Sequence, residues 1–155
     1  MTKKYLITVG IFGFLIIFFG AVLAHILEGK LTTEHLYQYN SGVQYMMFHT
    51  LALLGFSFAH KTISKSYLNI IYTLFVLGIF LFSFGMMINA TSEWTDLSLG
   101  FMSFIIPVGG LSFMAGWLYV AWIGLTGKYK RSSGHSRKHR SHSGDRIEDD
   151  FSSDF

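Results

Sequence analysis

Cysteine is absent from this 155-residue chain, proline occurs once, and charged residues make up only 14% of it. Without cysteine there is neither a disulfide nor a thiolate metal site. Soluble domains carry roughly a quarter charged residues, so the shortage of charge points to lipid contact. The shortage is also uneven. No Lys, Arg, Asp or Glu occurs between Tyr5 and Leu27, between Asn69 and Ser92, or between Leu97 and Gly127. No carboxylate lies in any of these runs, and nucleophile triads, metal motifs and phosphate loops are missing too. An enzymatic activity is therefore not expected, and neither is a cofactor.

What is present is apolar: 51% hydrophobic residues and 17% aromatic. About 20 mostly apolar residues suffice to cross a bilayer as a helix, and three runs reach that length. A fourth segment, Val43 to Ala59, is shorter and more polar, but Leu36, Tyr37 and Tyr39 can extend it. The chain thus reads as an all-α integral membrane protein, a four-transmembrane-helix bundle with helices at about 5–27, 36–60, 67–88 and 101–126. The apolar run from Tyr5 exceeds the roughly 7–15 residues of a signal-peptide core, so the first helix is expected to be retained.

Lysine and arginine orient the bundle. Lys3 and Lys4, Lys61 and Lys65, and Lys128, Lys130 and Arg131 flank one set of helix ends, whereas the other set has Lys30 alone, beside Glu28 and Glu34. The positive-inside rule then puts both termini in the cytoplasm. The formal charge of +3 follows from these ends and the tail, and signals orientation rather than a nucleic-acid surface. Tyr67, Tyr119 and Trp122 are expected in an inner aromatic belt, and Tyr37, Tyr39 and Trp94 in an outer one. Gly20 with Ala24, Ser112 with Gly116, and Gly109-Gly110 are candidate close-packing positions.

The polar residues within the apolar segments are the candidate site. With about 1.5 Å of rise per residue, His25, Gln44, Tyr45, His49, Ser83, Asn89, Ser103 and Pro107 fall in the outer third of the bilayer, the inner half holding little beyond Asn69. Tyr45 and His49 are four apart and share a face. Pro107 lacks an N–H and frees the carbonyl of Ser103. Together these residues predict a polar pocket between helices, open to the outer leaflet. Intramembrane ionisable groups carry function by default, yet a neutral histidine satisfied by a neighbour also serves simply to lock helices together. His25 and His49 are also the two residues that a metal or haem redox protein would use.

The segments Gly20-Ala21-Val22-Leu23-Ala24-His25, Val43-Gln44-Tyr45-Met46-Met47-Phe48-His49-Thr50-Leu51-Ala52-Leu53, Leu81-Phe82-Ser83 and Ile106-Pro107-Val108-Gly109-Gly110 resemble the YgdD-like family of small inner-membrane proteins, domain of unknown function 423. The similarity spans roughly residues 10–125. It departs at Leu23, where the family has glycine, at Asn40-Ser41-Gly42, where the family has Glu-Thr-Ala, and at Phe84 to Met87. The resemblance implies four membrane helices and an inner-membrane location, with no established activity.

Residues 128–155 form a separate charged tail. Its first part carries Lys128, Lys130, Arg131, Arg137, Lys138 and Arg140, and from Asp145 onward acids dominate. Polar, serine-rich and opposite in charge, it is expected to be disordered, as a cytoplasmic anchor or a docking segment for anionic lipid or protein. Three functions stand open: a structural or accessory subunit or small-molecule-binding bundle, a transporter or channel component, and a histidine-based redox protein. The expected partners are the bilayer, a membrane-complex subunit or a second copy of the chain.

Overall fold

A computed structural model describes residues 2–95 and 100–127, and the whole basic and acidic tail lies outside these. Among the described residues there is no β-strand. Helix α1, Thr2–Val22, continues into a π-helical turn, Leu23–Leu27. Gly29, at φ 79°, then takes the left-handed conformation that turns the chain back. Helix α2, Thr33–Phe58, starts where the Thr32 hydroxyl accepts the His35 N–H at 3.3 Å, and a 3₁₀ turn at Ala59–Lys61 follows it. Helix α3 is a continuous rod, Lys65–Ala90, with a widened π-helical stretch at Ile79–Phe84. A short turn of helix, α4 (Ser92–Thr95), precedes the last rod, α5 (Met102–Leu125).

Three stretches, Lys3–Leu27, Lys65–Ala90 and Phe104–Leu125, are long and apolar enough to cross a membrane. Helix α2 is long enough but not among them. The reason is local: Glu34, His35, Gln38, Asn40, Ser41 and Gln44 crowd its first half, and only its second half is apolar.

Helix α3 is the hub. The Tyr5 hydroxyl of α1 donates to the Leu68 carbonyl of α3. Thr8 and Tyr72 share a hydrogen bond at 2.7 Å, and Phe12 meets Phe80 edge-on. From α5, the Ser112 hydroxyl donates to the Leu74 carbonyl at 2.8 Å. Without a hydrophobic drive between helices in lipid, such bonds and close van der Waals contact hold a bundle together. Glycines set how close the rods come. A Cβ on Gly109 would lie 2.4 Å from the Phe82 backbone nitrogen, and one on Gly42 would lie 2.8 Å from the Ser83 carbonyl oxygen. Helices α5 and α2 therefore press on adjoining residues of the π-helical stretch of α3.

The buried stripe of α2 runs Tyr39, Gly42, Val43, Met46, His49, Thr50, Leu53 and Ser57, the three-and-four spacing of helices packed at a shallow angle. Outward, α1 shows Ile7, Ile11, Phe14, Ile17 and Phe18, a surface suited to lipid chains.

Several expectations change here. Gly109 and Gly116, with Ser112, do face α3, but a Cβ on Gly20 would meet nothing and Ala24 is exposed. Tyr39 is buried rather than part of a belt, whereas Tyr37 and Trp94 are exposed. Tyr67, Tyr119 and Trp122 do cluster, with centroids 5.4 to 6.2 Å apart. The end where α1 and α3 begin is also not poor in polar groups. Tyr5, Thr8 and Tyr72 bond there, because tyrosine and threonine read as membrane-tolerant residues in a sequence while their hydroxyls still need partners.

The glycine contacts yield a prediction. Gly109→Val forces the α3 backbone away and should destabilise the bundle by about 1–3 kcal/mol, the range for overpacking a filled core. Gly20→Ala should leave thermal unfolding in detergent unchanged or slightly higher. Equal effects of the two substitutions would refute this packing.

Candidate functional site

His49 lies on the buried stripe of α2, 3% exposed, where α2, α3 and α5 converge. Both ring nitrogens are engaged. The Trp117 indole N–H of α5 donates to Nε2 at 3.3 Å, so Nε2 carries no proton. Nδ1 then holds it and donates to the Tyr45 carbonyl one turn back, at 2.8 Å. Only the neutral Nδ1–H tautomer satisfies both partners, since a proton on Nε2 would set two donors face to face.

Aromatic rings complete the enclosure. Phe113 of α5 stacks on the imidazole with centroids 3.5 Å apart and planes 10° apart. Phe75 of α3 meets it edge-on at 5.2 Å, and Phe48 does so at 5.3 Å. Two glycines make room for these rings. A Cβ on Gly78 would lie 2.4 Å from the Phe113 ring, and one on Gly116 would lie 2.4 Å from the Phe75 ring. The histidine thus ties α2 to α5 through one hydrogen bond and one stacked pair, on slots cut by glycine.

A cleft of about 500 Å³ adjoins it, lined by Tyr45, Phe48, His49, Phe113, Met114, Trp117 and Leu118. Its walls are almost wholly apolar. Phe48, Met114 and Leu118 are more than half exposed, so the cleft opens sideways on the surface between α2 and α5. A second cleft, of about 400 Å³, sits at the α1–α2 link and includes Glu28, Thr33, Tyr37 and Asn40.

The polar residues expected to converge are spread out. Tyr45 and His49 do lie together, their rings 13° from parallel at 6.2 Å. Gln44 is exposed and faces a neighbouring surface groove with Tyr45, Met47 and Phe48. His25 is exposed on the π-helical turn of α1, and Pro107 is exposed on α5. Asn89 is half-buried, and its backbone carbonyl, not its side chain, accepts the Ser92 hydroxyl at 2.7 Å. Ser83 is fully buried, and its hydroxyl has no hydrogen-bond partner among the described residues. The Ser103 side chain and the tail residues Lys128, Lys130, Arg131, Arg137, Lys138 and Arg140 lie outside the described residues. The cleft beside His49 is therefore aromatic rather than polar. Sequence reasoning counted polar side chains by depth and passed over Phe75, Phe113 and Trp117. Their signal was the spacing Gly109, Phe113, Gly116, Trp117, which puts small and aromatic residues on one face of α5.

Helices of this length and apolarity, joined by short links, define a small multi-pass membrane protein. Residues 19–110 match a family described as a protein of unknown function, DUF423. The UPF0382 inner membrane protein YgdD of Escherichia coli strain K12 is 34% identical over 118 residues, 76% of this chain and 86% of that protein. A UPF0382 membrane protein of Haemophilus influenzae is 31% identical over 133 residues, 86% of this chain and 99% of its own length. The UPF0382 membrane protein YwdK of Bacillus subtilis is 31% identical over 119 residues, 76% of this chain and 93% of that protein. The chain belongs to this family, and it is a multi-pass inner-membrane protein. No solved structure matches it.

The clasp at His49 is testable by a double-mutant cycle. Interhelical hydrogen bonds in membranes average about 0.6 kcal/mol and reach about 1.7. His49→Leu should insert and fold with a loss in that range, and Trp117→Phe should lose little more once His49 is gone. Fully additive losses would mean that the two side chains do not act on each other.

Proposed function

We propose that this protein is a non-catalytic membrane bundle of four spans, both termini cytoplasmic, that holds a lipid-soluble molecule in the cleft between α2 and α5. The observation that carries the reading is the aromatic cleft itself. Its volume falls within the roughly 300–1,000 Å³ of small-molecule sites, and Tyr45, Phe48, Phe113 and Trp117 offer ring faces and edges for an apolar or aromatic guest. Both nitrogens of His49 are already bonded, so the histidine serves as a wall of the cleft and not as an acid, a base or a metal ligand. The redox reading needs His25 beside His49, whereas His25 is exposed on α1 and His49 is buried between α2, α3 and α5.

The four-span count rests on the 26-residue length of α2 and its packing against α1 and α3, with the polar half of α2 at the end that also carries Glu28 and Glu34. The orientation rests on the bases: among the described residues, Lys3, Lys4, Lys61 and Lys65 sit at one end and Lys30 alone at the other. A structural or accessory-subunit role is the second reading, since the same open cleft would accept a side chain from a partner helix.

Two measurements decide between these. Because the chain has no cysteine, a single cysteine at Thr91 should react with an impermeant maleimide in intact cells, and one at Ser66 should react only after lysis. The reverse pattern would invert the topology. Protein purified in mild detergent should carry a lipid-soluble compound detectable by mass spectrometry. Met114→Trp, which fills the cleft without touching the bonds of His49, should lose it. A compound retained equally by both proteins would remove the cleft from the function, and a co-purifying membrane protein lost in its place would favour the accessory role.

A further inference from the structure

At the end of the bundle where α1 and α3 begin, the fold gathers positive charge that nothing in the described chain neutralises. The Tyr5 hydroxyl bonds the Leu68 carbonyl, which brings the first turn of α1 against the first turn of α3. Lys3 and Lys4, in the first turn of α1, therefore lie at the same end of the bundle as Lys65, in the first turn of α3, and as Lys61 in the short α2–α3 link. All four lysines are exposed, and no ion pair joins any of them to an acid among the described residues. The acids of the described chain, Glu28, Glu34 and Glu93, belong to the opposite end; Glu28 is roughly 36 Å along α1 from Lys4, at about 1.5 Å per residue.

One of these lysines is positioned rather than merely present. The Lys4 ammonium sits 3.8 Å from the centre of the Tyr72 ring. That ring is itself fixed by the Thr8–Tyr72 hydrogen bond at 2.7 Å and by edge-on contact with Tyr5, centroids 5.0 Å apart. An ammonium has three N–H donors, and a ring face occupies one side of it. Lys4 is exposed, and it lies at the same end of the bundle as the aromatic cluster Tyr67, Tyr119 and Trp122, residue types enriched at membrane–water interfaces.

We infer that this rim, Lys3, Lys4, Lys61 and Lys65 with Tyr72 as the platform for Lys4, binds the phosphate of an anionic phospholipid. The charge is complementary, the level is that of the headgroups, and each base near such a surface strengthens binding by about fivefold. The acid-rich end of the tail is a weaker occupant, because seven tail bases between Lys128 and Arg146 stand closer to it in sequence than the rim does. The inference does not depend on what fills the cleft between α2 and α5.

The test uses the full chain in nanodiscs of equal phosphatidylglycerol and phosphatidylcholine, released into native mass spectrometry. Wild-type protein should retain phosphatidylglycerol over phosphatidylcholine. Neutralising all four lysines to Gln should reduce that preference at least about tenfold with unchanged helical content and melting temperature. Lys4→Gln should weaken it more than Lys3→Gln. Tyr72→Leu should weaken it as well although no charge is lost, whereas Tyr72→Phe, which keeps the ring, should not. A preference that survives in the four-lysine variant, or that vanishes only when the tail bases are neutralised, overturns the site. So does equal loss from Lys3→Gln and Lys4→Gln, which would leave only diffuse charge. Gain of phosphatidylglycerol on neutralising the tail acids would make the tail the occupant. Displacement by excess glycerol 3-phosphate would make a soluble phosphoester the ligand.

Discussion

Gly42 and Gly109 bring the backbones of α2 and α5 against adjoining residues of α3, and the other contacts of the bundle depend on that approach. A methyl group at either position would collide with main-chain atoms, which cannot swing aside as a side chain can. In lipid, where apolar burial between helices offers little drive, such close packing supplies much of the association energy. The contacted stretch of α3 is the π-helical one, where the backbone ladder is widened and an extra residue is accommodated. Once the three rods are this close, Gly78 and Gly116 leave slots that the rings of Phe113 and Phe75 fill.

His49 is a consequence of this arrangement. A buried polar ring is tolerated only with its nitrogens bonded. The backbone of its own helix satisfies one, and the indole N–H of Trp117 satisfies the other. The tautomer is fixed by who donates to whom. The same economy governs Tyr5 and Ser112, which each donate to a carbonyl of α3. Of the hydrogen bonds between helices, those of Tyr5, Thr8 and Ser112 all reach α3, and the open cleft beside His49 is left to aromatic surface.

The two ends of the molecule differ in kind. The lysine-bearing end is compact, tied by Tyr5, Thr8 and Tyr72, and free of acids among the described residues. The opposite end carries Glu28, Glu34 and Glu93, a left-handed glycine turn and a mixed cleft at the α1–α2 link. The relatives in the YgdD and UPF0382 family, to which the chain belongs, are named as membrane proteins.

Composition and charge alone determined the helical class and the membrane location, because a bilayer demands long charge-free runs and those are visible residue by residue, while the family followed from the resemblance of particular segments such as Val43 to Leu53. The pairing of Tyr45 with His49 was equally legible, since residues four apart on a helix always share a face. Partners across helices were not. Nothing local says that Trp117 meets His49, that Phe113 lies flat on it, or that Gln44 and His25 face outward, because rotation of each rod about its axis is set by packing against the others. Even the glycines divide this way: Gly20 and Gly109 look alike in sequence, yet only Gly109 touches α3. Depth in the membrane follows from counting along one helix; which face points inward was decided only when four of them packed.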